Sequence, residues 1–320
     1  MRILFITSTR VGDAVLSTGV LFHLIERYRG ARFTIACGPA AAELFVAVPN
    51  LERILVVEKK PASRHWLELW ASCVACYWDL VVDLRASGIS YLLPTRRRRV
   101  LRPSREPVHR IRHLASLFGL DDPPAPRIWT TPDHWRAAAE LVSDGPPVLA
   151  VGPTANWRGK QWRMASFIEL IRRLTGAGGI LPGARVAVFG AACEKATAVP
   201  VIASIPPGRR INLVGRADLV TAHVCLRRCA FYVGNDSGLM HLAAAAGIPT
   251  HGLFGPSREE LYGPWGEHSA VARTAVPYED LVGGPDYDHR TTGSLMDSLT
   301  VDAAEAAARA LWRRSAGPAA

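Results

Sequence analysis

The chain contains no apolar run near the roughly 20 residues that a helix needs to cross a bilayer, so no membrane-spanning helix is expected. Its first residues, Met1-Arg2-Ile3-Leu4-Phe5-Ile6, are too short for the apolar core of a leader and lack a small-residue cleavage site. They read instead as a first strand, and a cytoplasmic location is the expectation. No repeat of 20–50 residues and no low-complexity tract is evident. Six cysteines (Cys37, Cys73, Cys76, Cys193, Cys225, Cys229) are scattered through apolar surroundings. Cys73 and Cys76 form a CxxC, and Cys225 and Cys229 share a helix face. Neither pair has a second pair or a His at metal-ligand spacing, so they read as buried free thiols.

Acidic residues are the other shortage: 28 Asp and Glu against 38 Lys and Arg, a formal net charge of +10. The imbalance is local. From Arg96 to Arg112 there are eight arginines (96, 97, 98, 99, 102, 105, 110 and 112) against Glu106 alone. A solvated face usually mixes signs, so this segment suggests a polyanionic partner: nucleic acid, anionic lipid or a phosphorylated glycolipid. A bias of the coding sequence toward Arg would produce the same excess.

What is present is a steady alternation of strand and helix. At 320 residues, 49% hydrophobic and 21% charged, the chain is globular and long for one core. Strands are predicted at 2–7, 32–37, 53–57 and 80–84. After the basic segment and a helix near 109–118, a Pro-rich connector follows Asp121. A helix at 133–142 and the break Gly145-Pro146-Pro147 end the first half. Strands at 148–151, 185–189, 212–214, 231–233 and 250–254 alternate with helices in the second, and a last helix covers 301–314. This order implies two doubly wound parallel sheets, with domains at 1–145 and 146–320. Ligands of such sheets sit beyond the strand C-termini.

The most organised stretch runs from Phe231 to Pro256, FYVGNDSGLMHLAAAAGIPTHGLFGP. A strand ends in Gly234-Asn235-Asp236-Ser237-Gly238, an Ala-rich helix follows, and Gly247 stops it before the next strand. Free backbone N–H groups at such a helix start make a phosphate site. An ordinary capped turn over a buried helix explains the same residues.

Three stretches, in order, resemble glycosyltransferase family 9, the ADP-heptose:lipopolysaccharide heptosyltransferases. Arg10-Val11-Gly12-Asp13-Ala14-Val15 is similar to the family's (R/S)-x-G-D-x-(V/L) turn. Gly152 to Trp162 is similar to its G-A-x-W-x-x-K-x-W loop. Asn235-Asp236-Ser237-Gly238-Leu239-Met240-His241 matches N-D-(S/T)-G-x-x-H, followed by Gly-x-Pro and Leu-Phe-Gly-Pro. The likeness covers Ile3 to about Gly266, and Ser294 to Ala303 is similar to the family's C-terminal tail. It implies the GT-B architecture: two Rossmann-like doubly wound parallel-sheet domains facing a central cleft, an N-terminal acceptor domain and a C-terminal nucleotide-sugar domain. The C-terminal helix is then able to pack back on the N-domain.

Glycosyl transfer needs a base for the acceptor hydroxyl, donors for the departing diphosphate and an in-line geometry. Asp13, at the end of strand one, is either an N-cap or, as the resemblance implies, the catalytic base. Lys160 is a surface lysine or a cation beside the donor phosphates; Ser237, Gly238 and Thr154 supply further phosphate contacts. Asp236 is an N-cap, a ligand of donor-sugar hydroxyls, or both. His241 reaches a phosphate, braces the turn or is a core histidine. Glu194 accepts from ribose hydroxyls, and Asn156 adds a sugar or nucleotide contact. The helix start and Lys160 make a metal unnecessary, so no metal and no cofactor are expected.

The resemblance also orders the partners. Arg96, Arg97, Arg98, Arg99 and Arg102 gather an anionic glycolipid acceptor and dock the chain on the inner-leaflet surface without nucleic acid. Trp66, Trp70 and Trp78 lie at that interface or in the core. The expectation is an inverting, metal-independent transferase moving a heptose or related sugar from an ADP-sugar to a lipopolysaccharide core-type acceptor. A nucleotide-sugar epimerase of the same fold and a non-catalytic polyanion binder are the alternatives. Two departures stand out. The segment Tyr278 to Met296 lacks the cysteines common in the family and reads as a flexible acidic loop with Asp286, Asp288 and His289. Arg163 stands where a Pro commonly follows Trp.

Overall fold

A computed structural model describes residues 1–104, 106–284, 287–289 and 291–315. The chain divides into two compact units, Met1–Thr131 and Pro132 onward. This division falls upstream of the expected 145/146 boundary because helix Pro132–Leu141 already belongs to the second unit. Arg228 donates from Nε to the Val142 carbonyl (2.6 Å), and Arg227 stacks 4.9 Å from the Trp135 ring centroid.

The first unit is a five-stranded parallel sheet: β1 (Arg2–Ile6), β2 (Arg32–Cys37), β3 (Leu51–Val56), β4 (Leu80–Asp83) and β5 (Arg98–Val100), in the order β3-β2-β1-β4-β5. The central strands β1 and β4 are almost wholly buried and read as continuous apolar runs, as a sheet covered on both faces requires. Helix α1 (Val11–Arg27) follows β1, α2 (Arg64–Cys73) precedes β4, and α3 (Arg110–Ser116) follows β5. The Pro-rich connector lies against α1. A Cβ on Gly19 would come 2.1 Å from the Pro124 carbonyl oxygen, so only glycine allows this approach. Strand β5 was not expected. Its arginines hide a short edge strand, and charge on an edge discourages further strand pairing.

The second unit has six parallel strands: β6 (Val148–Gly152), β7 (Arg185–Val188), β8 (Arg210–Asn212), β9 (Phe231–Asn235), β10 (Thr250–Phe254) and β11 (Ser269–Arg273). Their order is β11-β10-β9-β6-β7-β8. Both sheets therefore reverse order beside their first strand, between β1 and β4 and between β6 and β9. Strand β11, at the far edge, was also not anticipated. The helices are α4 (Pro132–Leu141), α5 (Met164–Thr175), α6 (Lys195–Ser204), α7 (Leu219–Arg227), α8 (Gly238–Ala245), α9 (Glu259–Tyr262), α10 (Tyr278–Val282) and α11 (Val301–Ser315). The C-terminal helix α11 packs within its own unit, on α5, β10 and β11, with Ala304, Ala308 and Leu311 fully buried. Arg173 of α5 pairs with Asp302 and Glu305 of α11 at 2.5 and 3.0 Å.

One buried amide aligns the loops of this unit. Asn235 accepts from the Trp162 N–H (3.1 Å) and donates to the Pro153 carbonyl (2.8 Å). Trp162 in turn donates from its indole to the Leu299 carbonyl (2.9 Å), and Ser294 Oγ donates to the Gln161 carbonyl (2.7 Å). Thus the end of β9, the loop after β6 and the segment before α11 form one block. Arg163, where Pro was expected, stands at the N-cap position of α5 and meets Asp297 through two bonds of 2.6 and 2.7 Å. Of the segment from Tyr278, expected as a flexible acidic loop, the start is helix α10 and the last residue, Met296, is fully buried. Asp288 and His289 approach to 3.7 Å, while Asp286 lies outside the described residues.

Replacing Asn235 by Ala strands two buried backbone groups, each worth about 1–3 kcal/mol. Urea unfolding of Asn235→Ala should show a loss of about 2–4 kcal/mol, with Trp162 fluorescence as a probe. A second outcome concerns acid. Burial pushes His223 down to about 4, against its contact with the Leu242 carbonyl, and His251 in β10 likewise to about 4. In the unfolded chain both titrate near 6.5. Between these values the unfolded state binds more protons, so stability falls as pH drops through 6.5 toward 4, by about 1.4 kcal/mol per pH unit per histidine. Urea midpoints from neutral to acid pH should show this slope, and His251→Leu should roughly halve it.

Candidate functional site

In the first unit, the loops leaving β1 and β4 enclose a cavity of about 240 Å³ lined by Thr7, Ser8, Asp13, Ser17, Leu84, Arg85, Arg110 and Leu114. Open α/β sheets bind ligands at this reversal point, outside the strand C-termini. Arg10 is the N-cap of α1, which makes Asp13 its third residue and removes the N-cap reading. The carboxylate there faces the positive end of the helix. Its ion-pair neighbour, Arg110 Nε, is 3.8 Å away, beyond hydrogen-bond reach, so the carboxylate keeps lone pairs able to take a proton.

The cavity wall is built from satisfied polar groups. Thr7 Oγ1 and Ser17 Oγ are 2.7 Å apart, and Ser17 donates to the Ala14 carbonyl. Asp83, fully buried at the end of β4, accepts from the Arg85 N–H, the Ser87 N–H and Ser87 Oγ at 2.9, 2.9 and 2.6 Å. Those bonds clamp a tight turn in which Ala86 has φ 50°. The clamp holds Arg85 at the cavity, where its guanidinium stacks 4.8 Å from the Trp66 ring centroid. Burial lowers the Arg85 pKa, with Asp83 and Asp13 opposing. Sequence reasoning missed Asp83 and Arg85. The available signal was an Asp closing an otherwise apolar strand, in LVVDL.

In the second unit, Lys160 and Asp236 meet at 2.5 Å. Lys160 ends a short turn whose Gly159 touches Trp157: a Cβ there would be 2.7 Å from the indole. Ser237 is the N-cap of α8 but its hydroxyl caps nothing, and Gly238 is the first helical residue. The Ser237 and Tyr232 hydroxyls and the Trp157 indole N–H are buried without a partner of hydrogen-bonding geometry among the described residues. Burial pushes the Tyr232 hydroxyl upward, with nearby Ser237 holding it down and Glu194 and Asp236 adding to the rise. The two hydroxyls lie close enough to influence each other, which leaves the Trp157 indole N–H as the buried donor that calls for a ligand or water.

Thr154 and Glu194 converge on Gly190, whose Cβ would lie 3.4 Å from Thr154 Oγ1 and 3.3 Å from Glu194 Oε2. Glu194 Oε2 also accepts from the Ala191 N–H at 2.7 Å. His241 is buried in α8, whereas Asn156 is exposed on its loop. Thus Lys160, Asp236, Ser237 and Gly238 form one cluster and Thr154 and Glu194 a second group.

The basic segment is not one face. Arg96, Arg97, Arg99 and Arg102 are exposed, and Arg105 lies outside the described residues. Arg98 is turned inward, donating to the Ser90 and Leu93 carbonyls at 2.5 and 3.2 Å, and Arg110 lines the cavity beside Asp13. Trp78 is core, and Trp66 and Trp70 pack against the same cluster. Four of the cysteines are buried, but Cys193 is exposed and Cys76 partly so, which corrects the expectation that all six are buried. Among the described residues no three His, Cys, Asp or Glu side chains are placed to hold a metal ion, and no helix is long and apolar enough to cross a membrane.

The fold recurs in solved structures. A glycosyl transferase family 9 protein from Veillonella parvula superposes with a TM-score of 0.77 at 20% identity, covering 97% of each chain. The ADP-heptose lps heptosyltransferase II of Escherichia coli gives 0.74 at 21% identity, over 99% of this chain and 100% of that one. These likenesses place the two parallel-sheet units in the GT-B fold. Lipopolysaccharide heptosyltransferase 2 of Salmonella typhimurium is 28% identical over 173 residues, 51% of this chain and 48% of that one. The chain spans about half or less of the length of the first curated relatives it matches. The family model for glycosyltransferase family 9 (heptosyltransferase) matches residues 82–313, and the chain belongs to that family.

Proposed function

We propose that this protein is an inverting, metal-independent glycosyltransferase that moves a heptose or related sugar from an ADP-sugar to a lipopolysaccharide core-type acceptor. The observation that carries the reading is the carboxylate of Asp13, part-exposed in a polar cavity at the reversal point of the first sheet and, among the described residues, without a hydrogen-bonding cation. In this reading Asp13 takes the proton from the acceptor hydroxyl as its oxygen attacks the anomeric carbon. The bond to the diphosphate breaks on the opposite face, so one displacement inverts the centre.

The second unit supplies the leaving-group chemistry. Lys160 and the free N–H groups at Ser237 and Gly238 neutralise charge growing on the departing phosphates, with Thr154 adding a hydroxyl. These donors do the work that a metal would otherwise do. Asp236, now paired with Lys160, turns to hydroxyls of the donor sugar; Glu194, Asn156 and His241 complete the sugar and nucleotide contacts. The ADP choice is supported by the Escherichia coli structural relative, an ADP-heptose heptosyltransferase. The exposed arginines Arg96, Arg97, Arg99 and Arg102 favour an anionic glycolipid acceptor and a position on the cytoplasmic face of the inner membrane.

The test is nucleotide release from ADP-heptose with and without a deeply truncated lipopolysaccharide acceptor. ADP should appear only with acceptor, and Asp13→Ala should lower kcat by about 10²–10⁴ with little change in melting temperature. Acceptor-independent release would point to epimerase or hydrolase chemistry instead.

A further inference from the structure

Between β4 and β5 the chain makes a short helical turn, Ile89–Leu92, with an unusual distribution of side chains. Its flanks are buried, Ile89 at 7% and Leu93 at 3% exposure, while Tyr91 and Leu92 between them are 60% and 69% exposed. Leu67 of α2, one helical turn before Trp70, is 65% exposed.

These side chains are presented by a braced turn. Arg98 reaches back from β5 to the Ser90 and Leu93 carbonyls, and its guanidinium lies 5.2 Å from the Tyr91 ring centroid. From the other side the Trp70 indole donates to the Leu92 carbonyl at 3.2 Å. The chain thus holds apolar groups in water, where exposed apolar clusters ordinarily signal a docking surface. The adjoining edge strand and the residues leading into it contribute exposed Arg99, Arg96 and Arg97. The one carboxylate on α2, Glu68, is engaged by Lys60 Nζ at 2.8 Å.

The geometry points to the turn Ile89–Leu92, with Leu67 and the arginine edge of β5, as a docking surface for an anionic lipid bilayer. Leucines and a tyrosine at the tip with arginines at the rim match the polarity gradient of a lipid–water boundary. A second copy across a two-fold axis would bring the same arginine edge against itself. A nucleic acid would use the arginines but gain nothing from Leu67 and Leu92. The inference rests on the reading of a lipid-borne acceptor in that docking brings the enzyme to its substrate.

Co-sedimentation of the full chain with vesicles tests it. Phosphatidylcholine vesicles should leave the protein in the supernatant, and an equal mixture with phosphatidylglycerol should carry it down. Leu92→Ser should weaken that binding about tenfold, as expected for losing a buried Leu, with an unchanged melting temperature. Replacing Arg96, Arg97 and Arg99 together by Ser should remove the dependence on the anionic lipid. No binding to mixed vesicles, or binding indifferent to Leu92→Ser, overturns the proposal. So does a dimer that Leu92→Ser dissociates, or an oligonucleotide that displaces the vesicles while Leu92→Ser binds it normally. Transfer to a soluble, delipidated acceptor should be unaffected in Leu92→Ser. A wild-type chain that transfers sugar to the soluble acceptor but does not bind the mixed vesicles sinks this inference alone, and wild-type vesicle binding without any transfer sinks only the reading it rests on.

Discussion

A parallel strand cannot be followed by a hairpin; the chain must cross a face of the sheet and return, and that crossover has one hand. A sheet that starts at its centre therefore winds outward on one side, comes back, and winds outward on the other. At the point of reversal the two loops leaving the central strands diverge, and a crevice opens at the strand C-termini. Both units of this protein are built under that constraint. It explains why Asp13 and Arg85, distant in sequence, line one cavity, and why Lys160 and Asp236 meet.

What the topology opens, buried polar groups then shape. Asp83 spends its carboxylate on the turn that follows β4, and through that turn it orients Arg85 rather than facing a ligand itself. Asn235 does the same with an amide, gripping one loop at both Pro153 and Trp162. Within the short stretch Asn235-Asp236-Ser237 the labour is divided: the first residue is architecture, the second holds the Lys160 ammonium, and the third exposes a helix start. Adjacent residues along an extended strand point to opposite sides, which is why such a division fits into so few positions.

The alternation of strands and helices, the parallel order and the loops carrying Asp13, Lys160 and Asp236 were all legible before any coordinates, because apolar periodicity and turn residues are local signals. The weak strands were not. Strand β5 has three residues, two of them arginine, and β11 is only partly buried; edge strands need not look apolar, so their period is lost. The arginine segment misled for a related reason. Composition counts charges without direction, and Arg98 and Arg110 turn inward while their neighbours face water. Asp83 was missed although it closes an apolar run, because two of its three bonds come from backbone N–H groups, which leave no mark in side-chain spacing. The unit boundary shifted upstream because Arg228, far along the chain, holds the end of α4.

The Lys160–Asp236 pair carries one more implication. Asp236 is only 5% exposed, and a buried carboxylate stripped of its cation costs about 3–5 kcal/mol in folding. Loss of Lys160 leaves that carboxylate buried without its cation, whereas loss of Asp236 leaves an ammonium that water still reaches, so the two losses are unequal. The Lys160 position is therefore held by the fold of its neighbour as well as by any ligand it meets, and a chain that lost it would give up stability even with its site empty.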